Sequence, residues 1–288
     1  MKKSLFLIVI ILMMSWPIQE LKAQITHKDL LFATVEDRPL YLDLFLPSNE
    51  PNPFLIVWVH GGAWHAGSRA NPPTALLAKG YAIASVDYRL SVEARFPAQI
   101  HDIKAAIRFL RGNAKKYGYR SDQIVVWGAS AGGHLAALVG TTNGHPELEG
   151  SLGEYLDQSA DVQAVVDFYG PTNFLTILNQ STPHGISVRA PALALLLGRP
   201  VEQVPDLAKL ASPVFQVDAA DPPLFIAHGD QDNQVPINQS LELQGAYEAL
   251  GLKVQMEVVH GAGHGSRDYY DPAFQDTLAA FLAAVLKQ

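Results

Sequence analysis

The stretch Val125-Val-Trp-Gly-Ala-Ser-Ala-Gly-Gly-His-Leu-Ala-Ala-Leu138 changes character in its middle. It begins as an apolar, β-branched run, passes through five small residues centred on Ser130, and continues with the density of Ala and Leu that suits a helix. A buried strand that gives way at once to a helix needs a very tight turn, and side chains flanking the serine in that turn must be tiny. Here they are Gly128, Ala129, Ala131 and Gly132, with Gly133 following. Such a turn is expected to push Ser130 into the open at the strand's end. It also makes Ala131 N–H the first of a helix, where the backbone dipole favours negative charge. Ser130 is thus a candidate nucleophile.

A serine hydroxyl is a weak nucleophile until a base takes its proton. The chain has ten histidines, so a histidine alone decides little. The useful one follows a late strand and is preceded by a carboxylate, in the order Ser, Asp, His. Val258-Val-His-Gly-Ala-Gly-His-Gly265 supplies it. His264 lies between two glycines in the freer loop position, whereas His260 sits at the strand end and reads as structural. For the acid, Leu224-Phe-Ile-Ala227 runs into His228-Gly-Asp-Gln-Asp-Asn-Gln-Val-Pro236, where Asp230 and Asp232 compete. Asp230 is close enough to the strand to be a turn residue. Asp232 lies farther out, and these residues favour it while leaving Asp230 open.

The fourth element is His60-Gly-Gly-Ala-Trp64. Two successive glycines let backbone N–H groups approach a ligand closely, and an oxyanion needs such donors. Gly62, Ala63 and Ala131 are the candidates, and His60 reads as a loop brace. Trp64 is a candidate for lining the acyl pocket, or an aromatic that packs there. His134 reads as a local packing residue, and Asp87, Arg89, Asp102 and Arg108 as ion pairs bracing loops.

The remainder of the chain bounds the possibilities. Its 288 residues, 48% hydrophobic, are enough for one substantial core. A net charge of −7 and the lack of a Lys/Arg cluster argue against a nucleic-acid surface. Lys2 and Lys3, the apolar run Leu5 to Met14 and the small residue of Leu21-Lys22-Ala23 follow the order of a secretory signal. The run is short for a span of ~20 residues. Residues 1–23 are therefore expected to be removed near Ala23, leaving an exported protein, periplasmic or secreted, with no membrane attachment. The chain has no cysteine, which excludes a lipobox anchor, disulfides and thiolate metal sites. Asp157 and Asp161 lack the spacing of a Ca²⁺ loop. No metal and no cofactor are expected.

Continuous apolar runs at Leu40–Leu46, Phe54–Val59, Tyr81–Val86, Ile124–Trp127, Val162–Phe168, Leu224–Ala227 and Val254–Val259 predict strands buried on both faces. Helical spacing marks Ala98–Lys115, Val235–Leu250 and Pro272–Leu286. This alternation predicts an α/β fold, a mostly parallel sheet with helices on both faces. Residues 24–288 form one domain. From Gly170 to Ala220 the chain is rich in Pro, Gly and Ser and too long for a simple connection. It is expected to form cap-like helical excursions over the sheet's C-terminal edge.

Taken with Asp87-Tyr-Arg-Leu90 and Phe96-Pro-Ala-Gln99, the motifs above resemble the α/β-hydrolase superfamily, and within it the secreted bacterial esterases of the BD-FAE-like group near the hormone-sensitive-lipase branch. The likeness runs from about Leu40 to the C-terminus. It implies an eight-stranded sheet, a triad of Ser130, Asp232 and His264, and oxyanion donors at Gly62 and Ala63. The branch often carries a third glycine where this chain has Ala63, and the HGG-x-Trp form is shared with formamidases. The implied activity is hydrolysis of acetyl or feruloyl esters on plant polysaccharide, or of small acyl esters. The rivals are an amide hydrolase with the same triad and a non-catalytic binding protein on the same fold.

Overall fold

The computed structural model describes residues 25–286, so the expected signal segment lies outside the described residues. Eight strands appear: β1 (Ile25–Val35), β2 (Arg38–Leu46), β3 (Phe54–Val59), β4 (Ala82–Val86), β5 (Arg120–Ala129), β6 (Ala164–Phe168), β7 (Leu224–Gly229) and β8 (Val254–Val259). They form one sheet in the order β1-β2-β4-β3-β5-β6-β7-β8. β2 runs antiparallel to both β1 and β4, and every pairing from β4 to β8 is parallel. The helices are α1 (Ala98–Tyr117), α2 (Ala131–Gly140), α3 (Pro146–Glu149), α4 (Ile177–Gln180), α5 (Pro183–Leu197), α6 (Pro205–Leu210), α7 (Asn238–Ala249) and α8 (Pro272–Val285).

Alternation along each central strand sends its side chains to two cores. Leu55, Val57 and Val59 of β3 pack with Ile100, Ile103, Ile107 and Leu110 of α1 and with Leu135 and Leu138 of α2. Ile56 and Trp58 point the other way, toward Leu278, Phe281 and Leu282 of α8. Burying each such aliphatic side chain is worth about 1.5–3 kcal/mol. Both faces of the central strands β3 to β7 are dry, which is why those strands read as unbroken apolar runs.

β1 is absent from the sequence-based reading. Its exposed residues Thr26, Lys28, Asp29, Leu31 and Thr34 keep no strict alternation, and its register against β2 shifts twice. Asp29 sits at the first shift with φ 53°. The 170–220 segment is helical in parts and is tied to its surroundings by many hydrogen bonds, among them several that link Thr172, Asn173, Thr176 and Gln180 to Gln239 and Glu242 of α7. Thr182 Oγ1 donates to Asn233 O at 3.0 Å, Phe96 N donates to Leu196 O at 2.9 Å, and Ala211 O accepts from His134 Nε2 at 2.7 Å. It therefore packs on the loop that follows β7 and on α2, at the C-terminal end of the sheet.

Candidate active site

β5 ends at Ala129 and α2 begins at Ala131, so Ser130 alone makes the turn. Its backbone lies at φ 56°, ψ −121°, a conformation that costs on the order of 1–3 kcal/mol and persists only where neighbours enforce it. They do. Ser130 N donates to Phe168 O at 2.8 Å, and His134 N donates to Ser130 O at 3.0 Å. A Cβ on Gly128 would lie 2.1 Å from Gly132 O, and one on Gly132 would lie 2.1 Å from Val59 O. Those contacts explain why both positions are glycine. The hydroxyl is not in the open, however. Ser130 is only 8% exposed, because the His60–Trp64 loop closes over the turn; a Cβ on Gly61 would stand 3.4 Å from Ser130 Cβ.

The base and the acid arrive on neighbouring loops, after β8 and β7. Ser130 Oγ lies 2.8 Å from His264 Nε2, and His264 Nδ1 lies 2.7 Å from Asp232 Oδ2. Nδ1 must donate to the carboxylate, which leaves Nε2 as the acceptor for the serine proton. Asp232 Oδ1 accepts from Gln234 N at 2.8 Å and Val235 N at 2.9 Å. Burial alone would raise this carboxyl, but the hydrogen bonds from His228 and His264 outweigh burial and hold it far below the usual carboxylate range. Asp232 thus faces His264 as an anion.

Asp230, two residues earlier, faces outward. It accepts from His260 Nδ1 at 2.8 Å and from Gly261 N at 2.8 Å, joining the β7 and β8 loops. One pair of neighbouring aspartates therefore serves two histidines, the inner pair buried and the outer pair exposed.

Of the donors expected for an oxyanion, Gly62 has φ 111° and Ala63 φ 50°, and Trp64 follows at φ 61°, so the loop turns sharply there. Gly62 O accepts from His65 N and Ala66 N, while no hydrogen bond among the described residues engages the N–H groups of Gly62, Ala63 or Ala131. The loop is anchored by its first residue. His60 stacks on Tyr88 with ring centres 4.3 Å apart, and Tyr88 OH donates to His60 O at 3.0 Å. Arg69, past its far end, pairs with Asp87 and Asp43.

Trp64 does not line an acyl pocket. Its side chain is fully buried, Nε1 donates to His134 Nδ1 at 3.0 Å, and its ring meets Phe174 edge to face. The indole needs a polar partner for its N–H, and His134, kept neutral because burial pushes it down to about 4, supplies it. Trp64 therefore clamps the loop to α2. The bracing expected elsewhere is present: Arg89 makes a two-pronged contact with Asp102, and Arg108 donates to the carbonyls of Glu149 and Leu152.

Three residues near the triad escaped the sequence reading. His228, fully buried at the end of β7, has Nε2 2.9 Å from Val235 O and 3.4 Å from Asp232 Oδ2, with Nδ1 2.7 Å from Ser240 Oγ. A carbonyl can only accept, so Nε2 carries the proton and also faces the acid. Tyr169 sets its ring edge-on to His264 with centres 4.9 Å apart, from a backbone at φ 45°. Arg189 of α5 is buried and donates to Gln234 Oε1 at 3.3 Å, placing a cation beside the acid loop. For His228 a signal was available, since it heads the motif that contains Asp232.

The family model described as BD-FAE matches residues 42–247, more than half of the chain. The chain belongs to the BD-FAE family. That match includes Ser130 and Asp232 and stops short of His264, whose place rests on the geometry above. Among solved structures, this BD-FAE chain is similar to a truncated carbohydrate esterase from gut microbiota, with 35% identity, a TM-score of 0.83, and 92% of this chain and 97% of that one covered. It is also similar to a bifunctional GH43-CE protein of Bacteroides eggerthii, at 34% identity and TM-score 0.81, over 90% of this chain and 35% of that one. Esterase LipC of Mycobacterium tuberculosis is 35% identical over 244 residues, 83% of this chain and 59% of LipC. The chain spans about half the length of the curated relatives it matches. The fold expected from the resemblance, an α/β-hydrolase with a mostly parallel eight-stranded sheet, is the fold found.

Proposed function

We propose that this protein is a serine carboxylic-ester hydrolase with Ser130, His264 and Asp232 as its triad. The observation that carries this reading is one imidazole with Nε2 at 2.8 Å from a strained serine and Nδ1 at 2.7 Å from a buried carboxylate. Ser130 Oγ attacks the acyl carbon as its proton passes to His264 Nε2. Asp232 keeps Nδ1–H oriented and offsets the imidazolium charge. The tetrahedral oxyanion takes hydrogen bonds from the N–H groups of Gly62, Ala63 and Ala131. Collapse of this intermediate breaks the ester C–O bond, and the Nε2 proton goes to the departing alkoxide. Water then attacks the acyl-enzyme, gives its proton to Nε2, and the freed carboxylic acid leaves Ser130 protonated again.

His228 is the positioning residue for the acid, its Nε2–H shared between Val235 O and Asp232 Oδ2. Ester rather than amide hydrolysis is supported by relatives whose names are those of esterases. Acetyl or feruloyl groups on plant polysaccharide are the proposed natural substrates, supported by the truncated carbohydrate esterase that this chain matches over 97% of the truncated chain. Export is proposed from the Lys2, Lys3 and Leu5–Met14 pattern, and the 170–220 segment is proposed as a cap over the acid side of the site.

The test is a hydrolysis panel of nitrophenyl esters of rising chain length, methyl ferulate, acetylated xylan and an anilide, with Ser130→Ala as the control. Ester turnover should vanish to near background in the folded variant. A well-folded Ser130→Ala protein that keeps a tenth of the activity would sink the assignment.

A further inference from the structure

Helix α5 carries a charge where its pattern calls for an apolar side chain. Its buried residues are Gly185, Arg189, Ala192, Leu193, Leu196 and Leu197, spaced to lie along one face. Arg189 is only 2% exposed. Its Nη2 donates to Gln234 Oε1 at 3.3 Å, while Nε and Nη1 find no hydrogen-bond partner among the described residues. Burying a cation with idle N–H groups costs free energy that a methionine of similar reach would not. Packing alone therefore does not account for an arginine here.

The face that bears Arg189 lies on the acid loop. Thr182 Oγ1, at the start of α5, donates to Asn233 O at 3.0 Å. One turn on, a Cβ at Gly185 would stand 3.1 Å from Asn233 O and 3.3 Å from Gln234 O, so the helix backbone itself rests against that loop. A further turn along, Arg189 reaches Gln234, whose own N–H holds Asp232 Oδ1 at 2.8 Å. Steps of three and four residues thus bring three contacts onto residues 233–234. The charge of Arg189 faces Asp232, and Asp232 faces His264. The other titratable groups about the acid and the base are His228 beside Asp232, Tyr169 against the imidazole, and Tyr269, which feels the same carboxylate. Burial pushes both phenols upward, so neither carries charge near neutral pH. Asp230 pairs outward with His260, and His184 of α5 is exposed.

An arginine stays charged throughout the pH range of the reaction. A carboxylate that also faces a fixed cation attracts an imidazolium less, and the cation repels that imidazolium directly. Both effects favour the neutral imidazole that can accept the serine proton. We propose that Arg189 is a positioning residue for the triad, through which α5 steadies the acid loop and leaves His264 free as a base at lower pH. The proposal deepens the ester-hydrolase reading and rests on it for the role of His264. Arg189 acts through Gln234 and Asp232 and takes no part in bond making.

The experiment measures one midpoint in two ways: the acid limb of kcat/KM on 4-nitrophenyl acetate, and the ring-nitrogen NMR titration of His264 in substrate-free enzyme. Arg189→Met should raise both midpoints by about half to one pH unit. At one unit below the native midpoint its rate should then fall about three- to tenfold, while kcat on the plateau stays within about threefold. Arg189→Gln keeps a donor for Gln234 without the charge and should shift as methionine does. Arg189→Lys keeps the charge and should stay near the native midpoint. Arg199→Met removes an exposed cation of the same segment and should shift nothing. Should Arg189→Met fail to fold, the glutamine and lysine variants carry the same contrast. A loss equal at every pH, with both midpoints in place, would make Arg189 a brace alone and overturn the proposal. A lysine variant that shifts like methionine, or an Arg199 variant that shifts as much, overturns it as well. If the native enzyme hydrolyses no ester, yet the ring titration still moves on loss of the charge, the catalytic reading falls and the coupling stands.

Discussion

Two aspartates lie two residues apart in one loop, and the structure assigns them opposite consequences. Replacing Asp232 by Asn keeps an oxygen for Gln234 N and Val235 N, so the loop retains its backbone anchors. The new amide nitrogen takes the place of Oδ2 and can only donate. It faces His264 Nδ1, which must then become the acceptor, and the ring proton moves to Nε2. In that tautomer Nε2 cannot take the proton of Ser130 Oγ. The loss is the difference between a ring poised as a base and one that must first be turned over, about 10⁴ in kcat, or roughly 5.5 kcal/mol of barrier. Asp230→Asn disturbs only the exposed link to His260 and Gly261, so its kcat should stay within about twofold, a surface change too far from the reacting atoms to alter the barrier. The assay is kcat and KM on 4-nitrophenyl acetate for both variants, with melting curves to show that each is folded. The reasoning is refuted if folded Asp232→Asn loses less than about tenfold, or if Asp230→Asn is the damaged one.

Other outcomes follow from the same geometry. His228→Phe fills the space but removes the N–H facing Asp232 Oδ2, so kcat should fall about tenfold with KM nearly unchanged. The acid limb of its pH–rate profile should move to higher pH, because a less stabilised carboxylate holds the imidazolium more tightly, and His228→Gln should restore part of the rate; an unshifted profile contradicts the positioning role. Asp167 of β6 is fully buried, with Oδ1 accepting from Gly170 N at 2.9 Å and Oδ2 unpartnered among the described residues. Burial pushes it up to about 6 from an ordinary value of 3.8, so the folded state holds an extra proton between those values and loses stability as pH rises through them. Relative to the native protein, Asp167→Asn should therefore gain roughly 2–3 kcal/mol between pH 4 and pH 7 in urea melts; a pH-independent difference would show that the carboxyl is not strained by burial.

The sequence by itself determined the elements whose physics is local. β3 and β8 occupy the residues that their apolar runs mark, and the pair Gly128 and Gly132 announces the tight turn because any Cβ there strikes a backbone oxygen. The order Ser130, Asp232, His264 could be read because each residue ends or follows a strand that the hydrophobic pattern already located. Helix α7 was misplaced at its start for a reason that is not local. Val235 spends its N–H on Asp232 and its carbonyl on His228, so the helix begins only at Asn238. β1 was hidden because an edge strand with exposed residues in no strict alternation and two register shifts has no clean period.

Only the tertiary structure showed what each of two neighbouring candidates touches. Asp230 and Asp232 differ in the sequence by a step of two, and loop position and motif likeness favoured Asp232 without excluding Asp230; the fold turns one inward to His264 and the other outward to His260. Trp64 follows the oxyanion loop in sequence, yet its ring enters the core because His134 of another element offers a partner for its N–H. Ser130 sits in a turn that presents its hydroxyl, yet a loop from a neighbouring strand encloses it. Periodicity reports what a residue's own backbone does. Burial, tautomer and charge depend on atoms brought from distant segments, so they exist only once the chain has folded.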